Sequence, residues 1–372
     1  LGQGQVDDVV ARGIGQGHRR SKPWALGRSM GAGREPRKAD ASYRGRVERR
    51  KVGPGREHGE EVSMGQEPTT VGIDIGTSGA KGVLLGTRGA VLARAGATYP
   101  LLTPRPGWTE QEPEDWWEAA VSILRELVAA AGSRPIVGLG LSGQMHGSVF
   151  LDREGSPIRP ALLWNDGRTF AECAAIEERV GAERVIAITG NRASTGLQAP
   201  KLLWLRRHEP EAAARVAKLL LPKDFVRLRL TGEHATDMAD ASGTLLLDLK
   251  TRRWSEEMLT ALEIVPDLLP QTFEGPEVTG QITPAAAGLT GLAAGTPVVA
   301  GGGDNACAAI SAGLIHEGHG VCSIGTSGTL FVHSREPRID PEGRLNAFCD
   351  AVPGGYHLMG VILSAGGALG WF

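Results

Sequence analysis

The 372-residue chain is 41% apolar and 22% charged, with a formal net charge of −2. This composition suits a globular protein long enough for two domains and excludes collagen-like or low-complexity chains. No apolar run approaches the roughly 20 residues that a membrane-crossing helix needs. Charge is unevenly spread: residues 1–63 carry 14 Lys and Arg against 8 Asp and Glu, the remaining 309 carry 26 against 34. An acidic body argues against nucleic acid as the main partner.

Residues 1–65 are rich in Gly and Arg, with almost no apolar periodicity, and Met64 stands just before the first convincing strand. They are expected to be disordered or a non-native extension. The competing reading, a basic nucleic-acid arm, finds only Trp24 and Tyr43 as interleaved aromatics.

From Thr70 the texture changes. Val71–Ile75 reads as a buried strand, followed by the turn Gly76-Thr77-Ser78-Gly79 and by strands at Gly82–Leu85 and Ala90–Ala97. Pro113, then Trp116, Trp117, Ala120, Val121, Leu124, Leu127 and Val128, has helical spacing, with Gly132 as its stop. The two tryptophans serve packing or a cleft wall. Ile136–Leu141, Val149–Leu151 and Leu162–Trp164 read as strands, helices dominate Thr169 to Leu230, and Gly-rich strands resume at Pro297. That order predicts an α/β protein of two domains. The Gly-, Pro- and Ala-rich stretch Thr283–Gly295 is the expected junction, giving domains at 66–295 and 296–372.

Four scattered cysteines (Cys173, Cys307, Cys322, Cys349) form no CxxC pair. They read as small buried hydrophobes in a reducing cytoplasm rather than as metal or disulfide partners. His316 and His319 have no third ligand at metal spacing.

Repetition is more informative. Val71–Gly79 reads VGIDIGTSG and Val321–Gly328 reads VCSIGTSG. Each runs a buried strand into a Gly-Thr-Ser-Gly turn, whose backbone N–H groups can cradle phosphate oxygens. Gly76, Thr77 and Ser78 in the first copy, and Gly325, Thr326 and Ser327 in the second, are therefore candidate nucleotide-phosphate contacts. Asp74 would aim a carboxylate at the same place and suits Mg²⁺. A plain hairpin turn with a capping Asp is the alternative. Neither copy is a P-loop, since the GxxxxGK[ST] spacing is absent.

These blocks reach a family. Asp74-Ile75-Gly76-Thr77-Ser78-Gly79 resembles the first phosphate loop of the FGGY carbohydrate kinases. Ser142-Gly143-Gln144-Met145-His146-Gly147 is similar to the substrate loop of that family's xylulose kinases, and Trp164-Asn165-Asp166-Gly167-Arg168 to the block after it. Ala199-Pro200-Lys201-Leu202-Leu203-Trp204, Leu221-Pro222-Lys223-Asp224 and Gly301-Gly302-Gly303-Asp304-Asn305 continue in register, so the likeness runs from about Val71 to Phe372.

The resemblance implies a two-domain actin/hexokinase-like (ribonuclease H-like) ATPase fold and transfer of a phosphoryl group from ATP, with Mg²⁺, to D-xylulose. It implies Asp304 as general base, with Gln144, Met145, His146 and Asn305 on the sugar. For Asp304 the plain alternative is an N-cap on a helix Asn305–Ala312. The partners implied are a small sugar and ATP, with neither nucleic acid nor membrane, and the family allows a homodimer. Another ketopentose or polyol could replace xylulose. The family's second domain normally continues past Phe372 into a glycine-rich strip that holds adenine and ribose. The expectation is therefore an incomplete second domain and a chain that is inactive or poorly folded as written, with a catalytically inactive sugar-binding fragment as the alternative to the kinase.

Overall fold

The computed structural model describes residues 67–324 and 328–362, together with 365 and 368. The expectations for residues 1–65 and for Gly325, Thr326 and Ser327 lie outside the described residues.

The chain opens with β1 (Thr69–Ile75), β2 (Gly79–Gly86) and β3 (Val91–Thr98), then helix α1 (Pro113–Ala131) and β4 (Ile136–Gly143). Alternation of Val71, Ile73 and Ile75 puts one face of β1 into the core. Pro113 starts α1 without wasting a donor, and Gly132 ends it. Trp116, Ala120, Ile123, Leu124 and Leu127 recur every three or four residues on α1 and are all buried. Each such aliphatic or aromatic burial contributes about 1.5–3 kcal/mol. Trp116 and Trp117 both belong to this core, which decides for packing over a cleft wall.

A largely helical region follows, in which α2 (Gln198–His208) and α3 (Pro222–Thr231) bear on the site. The chain then returns with β5 (Val278–Gln281), α4 (Pro284–Thr290), β6 (Pro297–Val299), β7 (Gly302–Gly303) and α5 (Asp304–Ser311). One seven-stranded sheet results, in the order β5-β6-β4-β1-β2-β3, with β7 also beside β4. Strands β1, β6 and β7 run parallel to β4, whereas β2 and β3 form an antiparallel meander on β1.

The stretch expected as a junction is part of this first layer. Thr283 caps α4 by accepting from the Ala286 N–H, and Gly291 ends it in the left-handed conformation. Ile282, Ala286 and Leu292 are buried in the same core as β1 and α1. The Pro and Gly that looked like a linker are two helix ends. The strands expected to open a new domain at Pro297 instead pair with β4, Val298 opposite Leu139.

A second, antiparallel sheet of four strands follows: β8 (Gly320–Ile324), β9 (Gly328–Ser334), β10 (Asn346–Cys349) and β11 (Tyr356–Ile362), in the order β8-β9-β11-β10. Its β10 packs Ala347 and Cys349 against Ala241, Leu247 and Leu249, and the Cys349 N–H donates to Ser242 Oγ at 3.0 Å. Strands β8 and β9 form a hairpin with Ile324 opposite Gly328, as Ile75 stands opposite Ala80 in β1 and β2.

Candidate functional site

Strand register brings the separated motifs together. Asp74 and Ile75 of β1 pair with Ser142 and Gly143 of β4. Gly302 and Gly303 of β7 pair with those same two residues from the other side. Three parallel strands therefore end level, releasing the turn Gly76–Ser78, the loop Gln144–Gly147 and the head of α5 at Asp304. Ligands in open α/β sheets bind outside such carboxyl ends.

The glycine run is what permits this convergence. Gly301 has φ +82°, and a Cβ there would lie 1.9 Å from the Leu141 carbonyl oxygen. At Gly303 a Cβ would meet Met145 Cγ at 2.7 Å and Asp240 Oδ1 at 3.0 Å. Any side chain would push Asp304 away from the sugar loop.

Asp304 is the first residue of α5, and the cap position is Gly303. Its Oδ1 accepts from the Asn305 backbone N–H at 2.7 Å and from Asn305 Nδ2 at 3.1 Å, leaving Oδ2 without a partner among the described residues. Burial pushes its pKa up to about 6; the Asn305 N–H opposes this and the Asp74 charge adds to it. A carboxylate tuned towards neutrality with one bare oxygen suits a general base. Asn305, expected on the sugar, spends its amide orienting this carboxylate.

In the first phosphate turn the Gly76 N–H closes the turn on the Gly79 carbonyl at 3.2 Å, and the Gly76 carbonyl accepts from Tyr99 Oη at 2.6 Å. Gly76 thus shapes the turn instead of offering its own N–H. The backbone N–H groups of Thr77 and Ser78 have no partner among the described residues and remain to meet an anion. Below them, Ser142 Oγ donates to Asp74 Oδ1 at 2.7 Å.

A chain of side chains ties this turn to the loop Gln144–Gly147. Thr77 Oγ1 donates to Gln144 Oε1 at 3.1 Å and accepts from Trp164 Nε1 at 3.0 Å. Gln144 Nε2 and Trp116 Nε1 both donate to Gln111 Oε1, at 2.9 and 3.1 Å, and Gln111 Nε2 returns to the Thr77 carbonyl at 2.7 Å. Gln144 is only 1% exposed. Expected as a sugar contact, it acts in this structure as a strut between the two loops, with one bond to its amide oxygen and one from its amide nitrogen. Met145 is buried beside Gly303, and His146, partly exposed, adopts φ +66°.

Beneath the site lies an ionic cluster whose role the sequence did not reveal. Lys223 Nζ of α3 lies 2.6 Å from Asp224, 2.5 Å from Asp237 and 3.1 Å from Asp240, while Arg227 holds Asp224 at 2.9 Å. All five are buried. Burial first, then the neighbouring carboxylates, raise the Asp240 pKa well above the carboxylate range despite Lys223. Two cations thus face three buried acids, and burial also raises the pKa of Asp237. The cluster props Gly303 from below through Asp240. Its only sequence signal was charge standing inside apolar helices.

No group of three or more His, Cys, Asp and Glu side chains is placed to hold a metal among the described residues. Asp74 offers one oxygen that Ser142 does not occupy. Such a sparse set fits a magnesium ion that keeps its waters and phosphate oxygens, not an all-protein cage. No helix among the described residues is long and apolar enough to cross a membrane.

Comparison with known proteins agrees with this geometry. The family described as FGGY carbohydrate kinases, N-terminal domain, matches residues 69–311. A xylulose kinase of Escherichia coli K12 is 46% identical over 301 residues, covering 81% of this chain and 62% of the relative. One from Bacillus subtilis 168 is 41% identical over 304 residues, covering 81% and 61%. The crystal structure described as a xyloylose kinase from Brucella ovis matches with a TM-score of 0.78 at 42% identity, covering 82% of this chain and 62% of that one. The chain therefore spans about 62% of the length of the relatives it matches.

Proposed function

The chain belongs to the FGGY family of carbohydrate kinases, and from that premise we propose that it serves the ATP-dependent phosphorylation of D-xylulose to D-xylulose 5-phosphate. Its fold is the actin/hexokinase-like one, with a meander and parallel strands in one sheet. The observation that carries the reading is the convergence of Asp74, Met145–His146 and Asp304 at the ends of three adjacent strands.

In the proposed reaction Met145 and His146 receive the sugar. The bare Oδ2 of Asp304 takes the proton of the terminal hydroxyl. The sugar hydroxyl oxygen, so deprotonated, forms the bond to the γ-phosphorus of ATP as the bond to ADP breaks, so positioning and charge stabilisation do most of the work. The unpartnered N–H groups of Thr77 and Ser78 meet phosphate oxygens, as would the equivalent turn at Gly325, Thr326 and Ser327. Asp74 would hold, largely through water, the magnesium ion that neutralises phosphate charge. We place the domain boundary after Ser311, where the family match ends, and a cytoplasmic site of action goes with free thiols.

A second reading is sugar binding without turnover, with the loop Gln144–Gly147 as the seat of the sugar. Calorimetry of the purified chain with D-xylulose alone, and ADP release over a panel of D-xylulose, D-ribulose, glycerol and gluconate, separates the two. ADP release confined to D-xylulose supports the kinase reading. Binding without release supports the second, and absence of D-xylulose binding defeats both.

A further inference from the structure

Lys201 of α2 is fully buried, with no carboxylate within ion-pair distance among the described residues. Its Nζ donates to two backbone carbonyls, His146 at 2.8 Å and Gly196 at 2.6 Å. Burial pushes its pKa down to about 7; Asp166 opposes this, Arg168 adds to it, and Cys173 opposes it. An ammonium in such surroundings costs several kcal/mol if unpaired. Leu or Met would fill the volume without that cost, so the position uses the lysine for its donors.

The carbonyl it grips belongs to His146, whose φ of +66° lies in the left-handed region that β-carbons disfavour. A residue in that conformation persists only where its surroundings over-determine it. The ring is fixed as well. His146 Nδ1 lies 3.1 Å from the Gly243 carbonyl oxygen, which can only accept, so Nδ1 carries the hydrogen. Burial, then the Lys201 charge, lowers the ring pKa to about 3. The imidazole is neutral and Nε2 is a bare acceptor with no partner among the described residues. Gly243 allows this approach, since a Cβ there would fall 2.4 Å from Nδ1.

We propose that Lys201 is a positioning residue for substrate: by gripping the His146 carbonyl it locks the left-handed backbone and, with Gly243, presents His146 Nε2 as a hydrogen-bond acceptor for a sugar hydroxyl. This rests on the reading that the loop at Met145–His146 receives the sugar. It adds a residue that never touches substrate and assigns the tautomer of one that does.

The test combines nitrogen NMR of the His146 imidazole, without sugar, and calorimetry with D-xylulose, on the full chain and on Lys201→Met. In the unsubstituted chain the ring should be a single Nδ1–H tautomer from about pH 5 to pH 8, against an ordinary histidine midpoint near 6.5. In Lys201→Met both tautomers should appear, and D-xylulose affinity should fall about tenfold, the scale of one lost charge-assisted hydrogen bond. A folded Lys201→Met that keeps the pure tautomer and an affinity within about twofold overturns the proposal. Should that variant not fold, the unsubstituted ring decides: an Nε2–H tautomer, or protonation near pH 6, overturns it equally. Absence of D-xylulose binding by the unsubstituted chain defeats the sugar reading instead, while the NMR arm still judges what holds His146.

Discussion

Ser142 Oγ donates a 2.7 Å hydrogen bond to Asp74 Oδ1 across directly paired positions of two parallel strands. It fixes one oxygen of the carboxylate and leaves the other without a partner among the described residues. Ser142→Ala should lower stability by about 1–2 kcal/mol, since the lost bond involves a charged acceptor. Denaturant titration measures that loss. On the kinase reading it should also raise the Mg²⁺ concentration needed for half-maximal ADP release. An unchanged Mg²⁺ requirement would remove Asp74 from the metal.

Asp304→Asn should cut ADP release at least about 100-fold while D-xylulose affinity stays close to the parent's, because the base acts only as the proton leaves. In the parent, turnover should rise with pH and level off above about 6, where Asp304 is ionised. Normal turnover by Asp304→Asn ends its role as base.

The same substitution has a stability consequence of definite sign. Burial raises the folded pKa of Asp304 from the ordinary 3.8 to about 6, so between these values the folded state binds more protons and stability falls as pH rises. Asp304→Asn should therefore melt higher than the parent at pH 7–8, by the order of 1–3 kcal/mol, with the difference vanishing below about pH 4. Melting curves across that range check it; a variant less stable at pH 8 contradicts the burial of an uncompensated charge.

Gly301→Ala should be severely destabilising, by about 3 kcal/mol or more, since it places a Cβ in a left-handed residue and against a strand carbonyl. The neighbouring Gly313, also at positive φ but with open space around it, provides the control: Gly313→Ala should cost about 1 kcal/mol. Equal losses at both positions would mean that close approach to β4 is not what Gly301 is there for.

Lys223→Met should be worse than removing any single aspartate of its cluster. It leaves Asp224 and Asp237 buried with only Arg227 as cation, and losing one member of a buried charge cluster costs about 3–5 kcal/mol. Asp240→Asn should cost less than Lys223→Met, because burial raises the Asp240 pKa and makes its charge costly to hold, whereas Lys223 contacts all three acids. Urea midpoints of the two variants distinguish these outcomes.

Periodicity fixed the local elements well. The helix from Pro113 to its stop at Gly132, the strand from Ile136 and the three-strand start each arise from side-chain spacing and end residues that act over a few positions. It misread Thr283–Gly295, because Pro, Gly and Ala mark both a linker and a short capped helix, and only burial of Ile282, Ala286 and Leu292 separates them.

The motifs Asp74, Gln144–His146 and Asp304 were legible as candidates through their resemblance to the FGGY kinases, with a hairpin turn and a helix cap as the plain alternatives. Their roles were legible only in part. Gln144 reads on the page as a ligand residue, yet it works below the surface, on Thr77 and Gln111. Lys201 and Lys223 stood inside recognisable blocks, but nothing local says that one grips two carbonyls and the other meets the carboxyl groups of Asp237 and Asp240. The amino-acid sequence by itself determined the family, the first three strands, the helix after them and the strand from Ile136. Only the tertiary structure decided that Asp74, His146 and Asp304 share one site, because strand register and close glycine contacts join residues far apart in the chain.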